Sequence, residues 1–416
     1  MIFKRCIRLS LATVIFLSIQ GNTLAQDINY RRSSLYSILI CHPEKNFGKD
    51  IDTVFRMVPI PDKFDDHNLK VRAINAAVVV EKKQSDDQNT IEYTIEPFLK
   101  KNDVAKRIVS KWFDRQEGKG KDGTFDMNLI VERGLYDADY FDYQVASHSV
   151  RGQSLLADAG EELIGNTYVM FNDIQYVDKQ ERSALVSTGI SIIGAVASEF
   201  TSGLASNMID LGARTITDIT EDIAGFRVSI TSYLYKLRWD EETAAKFYSE
   251  YYMTEPDPEK KSLYDREKDL FHLDYVGSHS IVTGNTTLGG VRNKNDMIRK
   301  VCQRAIEKNI AELQRKYEEF RVKTPLFSTA PLSAKIGLKE DISENSRFEV
   351  LEAVENEDGR TEYKRRGVVK PVAGKIWDNR FMAEFEEENA GNTRSETEFE
   401  IVSGSGFGPG MLLREI

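Results

Sequence analysis

NTYVMFNDIQYVD, residues 166–178, is the stretch on which the reading of the fold turns. Its dense aromatic and branched residues are those of a strand. A matching strand, FRVSITSYLYKLRW at 226–239, follows after an interval that does not read as an ordinary loop. Upstream, SLYSILIC at 34–41 reads as a first buried strand, AINAAVVV within 71–80 as another, and FDMNLIVERG at 125–134 as a third. Helical spacing recurs between them. Asn102 is placed to cap a helix over 103–113 carrying Val104, Ile108 and Trp112, with further patterns at 138–147 and 150–163. Asp240 is placed to cap another through Ala244, Phe247, Tyr248 and Tyr251. Strands alternating with helices predict an α/β sandwich to about residue 322.

The last element of that sandwich is a long amphipathic helix from Asn295 to Val322. Ile298, Val301, Cys302, Ala305, Ile306, Ile310, Leu313, Tyr317 and Phe320 form its apolar stripe. Thr324-Pro325 ends it, and the pattern then changes to short strands: SAKIGL, RFEVLEAVE, TEYKRRGVVKPV, GKIWDNRF, TEFEIVSG and GMLLREI. Glu357-Asp358-Gly359 supplies a hairpin turn between the second and third. These strands predict a small β-barrel of the SH3 or OB kind over 326–416. The fold class is therefore α+β or α/β: a mixed sheet-and-helix domain over 26–322, an insertion at about 183–225, and the barrel.

The insertion contains STGISIIGAVASEFTSGLASNMI, residues 187–209, in which Glu199 is the only ionisable side chain. Read as a helix, it sets Ile193, Val196, Phe200, Leu204, Met208 and Leu211 in one stripe on an otherwise small, smooth surface. Read as a strand, Val186, Ile190, Ile192, Val196, Phe200, Leu204 and Met208 alternate with small or polar residues, like a lipid-facing hairpin. The abundance of Ala and Gly favours the helix. Its serines, threonines and Glu199 make a lone span through hydrocarbon costly.

Residues 1–25 read as a secretory signal peptide: Lys4, Arg5 and Arg8, an apolar run from Leu9 to Ile19, then Thr23-Leu24-Ala25. The expected location is the periplasm or the outer-membrane periphery. Loss of that segment removes three positive charges from a chain already at a formal net charge of −10. Such acidity argues against nucleic acid as a partner. Cys41 and Cys302 then remain, and an oxidising compartment permits one long-range disulfide between them, with two buried free thiols as the alternative.

No motif assigns a catalytic residue or a cofactor. Gly118 to Gly123 fits a dinucleotide-binding glycine pattern, but it follows a helix and precedes a strand, the reverse of the required order, so it reads as a surface loop. The cluster from Gly404 to Gly410 reads as a turn between the last two barrel strands. Among the five histidines, His42, His67, His148, His272 and His279, none pairs at helical metal spacing. His272, Asp274 and His279 are the nearest approach to a metal ligand set, and exposed positions on an edge strand explain them more simply.

The order IVERG (130–134), helices, LIGNTYVMFNDIQYVDK (163–179), an insertion, then FRVSITSYLYKLRW resembles the periplasmic domain of curli-type secretion channels. That resemblance implies a membrane-facing insertion and subunits assembled in a ring. The C-terminal barrel is similar in placement to that of flagellar accessory proteins of the FlgT kind, and the whole chain resembles exported proteins of Bacteroidota. The expected function is a non-enzymatic exported scaffold that self-associates or contacts an outer-membrane partner through the insertion, with peripheral membrane contact a further expectation. The alternatives are a soluble ligand-binding protein or enzyme with an interdomain cleft, and an outer-membrane pore subunit.

Overall fold

The computed structural model describes residues 33–59, 64, 71–79, 81–84, 91–118, 120–127, 130, 163–177, 191–192, 226–284, 291, 293–321, 323–355, 361–386 and 394–416. The chain opens with β1 (Ser34–Cys41), α1 (Gly48–Phe55), β2 (Ala73–Asn75) and α2 (Ala76–Val79). A small two-stranded ribbon, β3 (Glu81–Gln84) with β4 (Ile91–Thr94), precedes α3 (Glu96–Lys101) and α4 (Val104–Trp112). Next come β5 (Thr167–Tyr176), β6 (Ser191–Ile192), β7 (Arg227–Leu237), α5 (Glu241–Lys246), α6 (Pro258–Arg266), β8 (Leu273–Gly284) and α7 (Lys294–Lys316).

The main sheet has the order β2-β1-β5-β7-β8-β6. β1 is parallel to β2 and β5, whereas β5, β7 and β8 form an antiparallel meander. Both faces are covered, and strand alternation sends neighbouring residues into different cores. Tyr168, Met170 and Ile174 pack with Ile51 and Phe55 of α1 and with Ile298, Val301, Cys302, Ile306 and Leu313 of α7. Val169 and Phe171 pack on the opposite side with Leu99 of α3 and Ile108, Val109 and Trp112 of α4, and with an aromatic group that includes Phe113, Phe125, Phe247 and Tyr264. Each such apolar side chain contributes about 1.5–3 kcal/mol on burial, which is why the middle strands tolerate so little polarity.

The polar residues they do carry are paired. Asn172 lies opposite Ser232, and Ser232 opposite His279, in a row across β5, β7 and β8. Ser232 Oγ donates to Asn172 Oδ1 at 2.6 Å, and Asn172 Nδ2 donates to Ser37 Oγ at 3.0 Å. Asn309 reaches down from α7, donating to Ser232 Oγ at 2.6 Å and to the His279 carbonyl at 3.1 Å, while its Oδ1 lies 2.8 Å from His279 Nδ1. Asn172, Ser232 and Asn309 are fully buried.

The C-terminal part comprises β9 (Thr324–Thr329), β10 (Leu332–Ala334), β11 (Phe348–Glu355), β12 (Thr361–Pro371), β13 (Thr397–Gly404) and β14 (Leu412–Glu415). They close a six-stranded barrel in the order β10-β13-β12-β11-β14-β9 around Leu326, Ile336, Phe348, Val350, Val369, Phe399 and Leu413. The barrel is fastened to α7 by charge. Glu386 Oε1 lies 2.9 Å from Lys300 Nζ and 2.8 Å from Arg304 Nη1, and Arg304 also donates to the Phe381 carbonyl. Lys300 is fully buried and Glu386 is nearly so. Further along the helix, Lys308 and Arg315 pair with Asp341.

Several sequence expectations are corrected. AINAAVVV yields only the three-residue β2 before turning into α2. Asn102 closes α3 instead of opening α4, its side-chain amide donating to the Phe98 carbonyl. Phe125 to Met127 are irregular and Ile130 is helical, so FDMNLIVERG is not a strand where it is described. GKIWDNRF is no barrel strand: Trp377 makes one isolated bridge to Gly337, and Asn379 Oδ1 accepts from Lys339 N. Its place is taken by β9, where Pro325 offers no N–H and the neighbouring Leu326 N donates to the Met411 carbonyl. α7 spans Lys294–Lys316, capped by Asn293, and Tyr317 leaves it in an extended conformation. The patterns at 138–147 and 150–162, and the Glu357-Asp358-Gly359 turn, lie outside the described residues.

Two measurements probe these contacts. Asn309→Ala strands Ser232 and His279 and is expected to cost about 2–4 kcal/mol, read from the denaturant midpoint. Glu386→Ala removes the anion shared by Lys300 and Arg304 and is expected to cost about 3–5 kcal/mol, read by calorimetry.

Candidate functional site at the carboxyl end of the sheet

In open sheets with parallel strands, crevices form beyond the carboxyl ends where neighbouring connections leave to opposite faces. Around β1 and β5 the connections lie on both faces: α1 covers one on the way from β1 to β2, and α3 and α4 cover the other on the way from β2 to β5. At that end the chain turns at once. Lys45 N donates to the His42 carbonyl, Gly48 N donates to the Lys45 carbonyl, and Phe47 takes a left-handed backbone with φ 59° before α1 starts. A Cβ on Gly48 would stand 1.8 Å from the His42 carbonyl oxygen, so only glycine lets the helix begin so close to the strand.

The turn places His42 against Asp173 of β5, both nearly sealed from solvent. His42 Nε2 lies 2.8 Å from Asp173 Oδ1, and His42 Nδ1 lies 3.6 Å from Glu44 Oε1. Gln175 Nε2 donates to both Asp173 oxygens at 2.8 and 2.9 Å, and Lys45 Nζ donates to Gln175 Oε1. Both imidazole nitrogens therefore face carboxylates. Among the described residues no hydroxyl or thiol hydrogen-bonds to His42, so the arrangement lacks the nucleophile of a base-assisted relay. The adjacent Cys41 is held as a thiol, its pKa raised by burial and then by Asp52. What this geometry can do is fix the carboxyl ends of β1 and β5 to one another.

On the other face of the same end, aromatic rings close the base of the insertion. Tyr176 and Phe226 stand at its two ends with ring centroids 5.4 Å apart, and Phe47 packs on them at 4.7 and 5.2 Å. Lys294 Nζ sits 5.1 Å over the Phe47 ring while pairing with Asp50 at 2.7 Å. β5 and β7 stay in register up to Tyr176 opposite Val228, and Val177 N donates to the Arg227 carbonyl. The insertion thus leaves and rejoins the fold between two directly paired strands.

Ile193, Val196, Phe200, Leu204, Met208 and Leu211 lie outside the described residues. Of the quoted apolar run, Ser191 and Ile192 are described, as β6 parallel to Ile281 and Val282 on the edge of β8. His272, Asp274 and His279 do not converge. Asp274 makes a bidentate pair with Arg238, His279 turns inward to Asn309, and His272 borders a cleft of about 600 Å³ with Leu99, Lys106, Phe271 and Tyr275. The edge-strand explanation therefore fails for His279, which has a buried partner. No cluster of three or more His, Cys, Asp or Glu among the described residues is arranged to hold a metal.

Cys41 and Cys302 are free thiols associated with the same core, and complete burial pushes Cys302 up to about 12. A cleft of about 240 Å³ opens where α7 meets the barrel, lined by Gln314, Arg315, Arg321, Ile342, Phe348 and Leu413. That is below the common range of ligand pockets, about 300–1,000 Å³. No described helix is long and apolar enough to cross a membrane.

His42 and Asp173 escaped the sequence reading because they are 131 positions apart. The available signal was Asn172-Asp173, two consecutive polar residues in an apolar strand, which alternation must send to opposite faces, each to a partner. No protein-family model matches the chain, and none of the curated proteins matches it. Asp173→Ala leaves His42 and Gln175 without their shared acceptor. It is expected to cost about 1–3 kcal/mol, and hydrogen exchange should quicken first in Ser34–Cys41 and Thr167–Tyr176.

Proposed function

We propose that the protein is a non-enzymatic exported scaffold, working in the periplasm or at the outer-membrane periphery, which assembles with copies of itself or an outer-membrane partner through the insertion at about 183–225. The observation that supports this reading is the sealed base. β5 and β7 pair to their last residues beneath the insertion, and Phe47, Tyr176 and Phe226 pack over the junction. The pairing of β5 with β7 is complete without the insertion, whose Ser191–Ile192 join the edge of β8 as β6. The apolar stripe Ile193, Val196, Phe200, Leu204, Met208 and Leu211 suits contact with a partner. The SH3 or OB reading of the barrel and the amphipathic reading of α7 belong to this proposal, with α7 as the strut between the sandwich and the barrel.

A second reading, a soluble ligand-binding protein, draws on the cleft beside His272, whose Leu99 and Phe271 floor and Lys100 and Lys106 rim could hold a small amphipathic molecule. The two readings separate in one experiment. Residues 178–225 are replaced by a two-residue turn, and the shortened and intact proteins are compared by thermal melting, sedimentation and carbonate-washed membrane fractionation. The scaffold reading expects a cooperative melt with loss of assembly or membrane association. Identical sedimentation and fractionation would sink it. Leakage of dye from liposomes caused only by the intact protein would favour a pore subunit instead.

A further inference from the structure

Glu307 and Gln303 lie one turn apart on α7, close to the barrel turn that contains Lys339 and Glu340. Gln303 Nε2 donates to Glu307 Oε1 at 3.1 Å. The two remaining oxygens, Gln303 Oε1 and Glu307 Oε2, are sealed from solvent and have no hydrogen-bond partner. With Glu307 ionised, both are acceptors, and neither can satisfy the other. A carboxylic acid differs from a carboxylate in one respect that matters here. Its O–H can donate to the amide carbonyl while the amide N–H donates to the acid carbonyl. One proton on Oε2 therefore completes a reciprocal pair and satisfies both orphaned atoms at once.

We infer that Glu307 carries this proton in the folded protein, joined to Gln303 as an acid–amide pair, and that the contact between α7 and the barrel loosens when the proton is lost. The surrounding charges do not offer a substitute. Arg304, on the same helix, is committed to Glu386 and the Phe381 carbonyl, and Lys308 to Asp341. From the barrel side, Lys339 favours the carboxylate and Glu340 opposes it, while the Glu340 carboxylate accepts from Gly337 N and Asn379 Nδ2. Burial is the largest influence and pushes Glu307 from its ordinary 4.5 up to about 7. The folded state thus binds the proton more tightly than the unfolded chain. Its contribution to stability is complete below the ordinary value and is lost as the pH rises through about 7.

Glu307→Gln is the informative variant, because an amide at 307 keeps an N–H to offer Gln303 Oε1 and cannot titrate. Full-length wild type and variant are melted at a series of values from about pH 5 to about pH 8. Near-equal melting temperatures at the acid end, and a wild type that falls several degrees below the variant at the alkaline end, are expected. Superimposable profiles, or a variant less stable at the alkaline end, would overturn the inference. Should the variant not fold, hydrogen exchange in the wild type decides. Protection of the Leu338–Asp341 amides, corrected for intrinsic rates, is expected to fall about tenfold across the same range, and constant protection would refute the pairing.

Discussion

One polar side chain, Asn309, marks the register of α7 within its otherwise apolar contact with the sheet. Its amide enters the polar row of the sheet at Ser232 and His279, and a row of donors and acceptors whose Asn172, Ser232 and Asn309 are fully buried favours one register. A shift of α7 by one residue would turn Asn309 by about 100°, leaving Ser232 with Asn172 alone and the His279 ring without its partner on the helix. With the helix fixed, Lys300, Arg304, Lys308 and Arg315 project where Glu386 and Asp341 of the barrel part meet them. The sheet thus positions the barrel through a helix that serves both.

That dual service explains the uneven chemistry of α7. The side toward the sheet is packed with Ile298, Val301, Cys302, Ala305, Ile306 and Leu313 and admits a single polar contact row. The side toward the barrel is crowded with charge, Lys300 fully buried and Arg304, Lys308 and Arg315 half-buried. Buried ion pairs contribute little net stability relative to apolar packing, but they penalise wrong partners heavily. Gly277 marks another close approach around this helix. A Cβ there would stand 2.0 Å from the Tyr317 hydroxyl, which bonds the Ser278 backbone and so covers part of the edge of β8.

How far the sequence could be read follows from the range of the interactions. SLYSILIC, TYVMFNDIQY and RVSITSYLYKL declare themselves as strands because each is buried along most of its length, and Asp240 caps its helix with a bond only three residues long. Their neighbour relations in the sheet are less local. The pairing of β5 with β7 across the insertion was still legible, since two similar strands flank it. β9 was not, because Pro325 argues against a strand until its neighbour's ladder bond is seen. GKIWDNRF misled for the opposite reason: Ile376 packs against the barrel core, and bonds from Trp377 N to Thr397 Oγ1 and from Lys339 N to Asn379 Oδ1 hold the segment down without its joining a ladder. The contact between His42 and Asp173 depends on a turn that only Gly48 permits, and no periodicity registers that.

The sealed junction beneath the insertion has a consequence for how such a chain can change. Closing a longer loop on a fixed base costs only about 0.6 kcal/mol for each doubling of its length. With Tyr176 and Val228 already paired, and Phe47 packed against the flanking rings, the β5–β7 pairing registers little of what is spliced between them, while Ser191–Ile192 of the segment extend the sheet as β6. The position is a natural grafting point. Lineages could exchange, lengthen or shed the segment while the sandwich below persists, and an engineer could display a foreign module there by the same latitude.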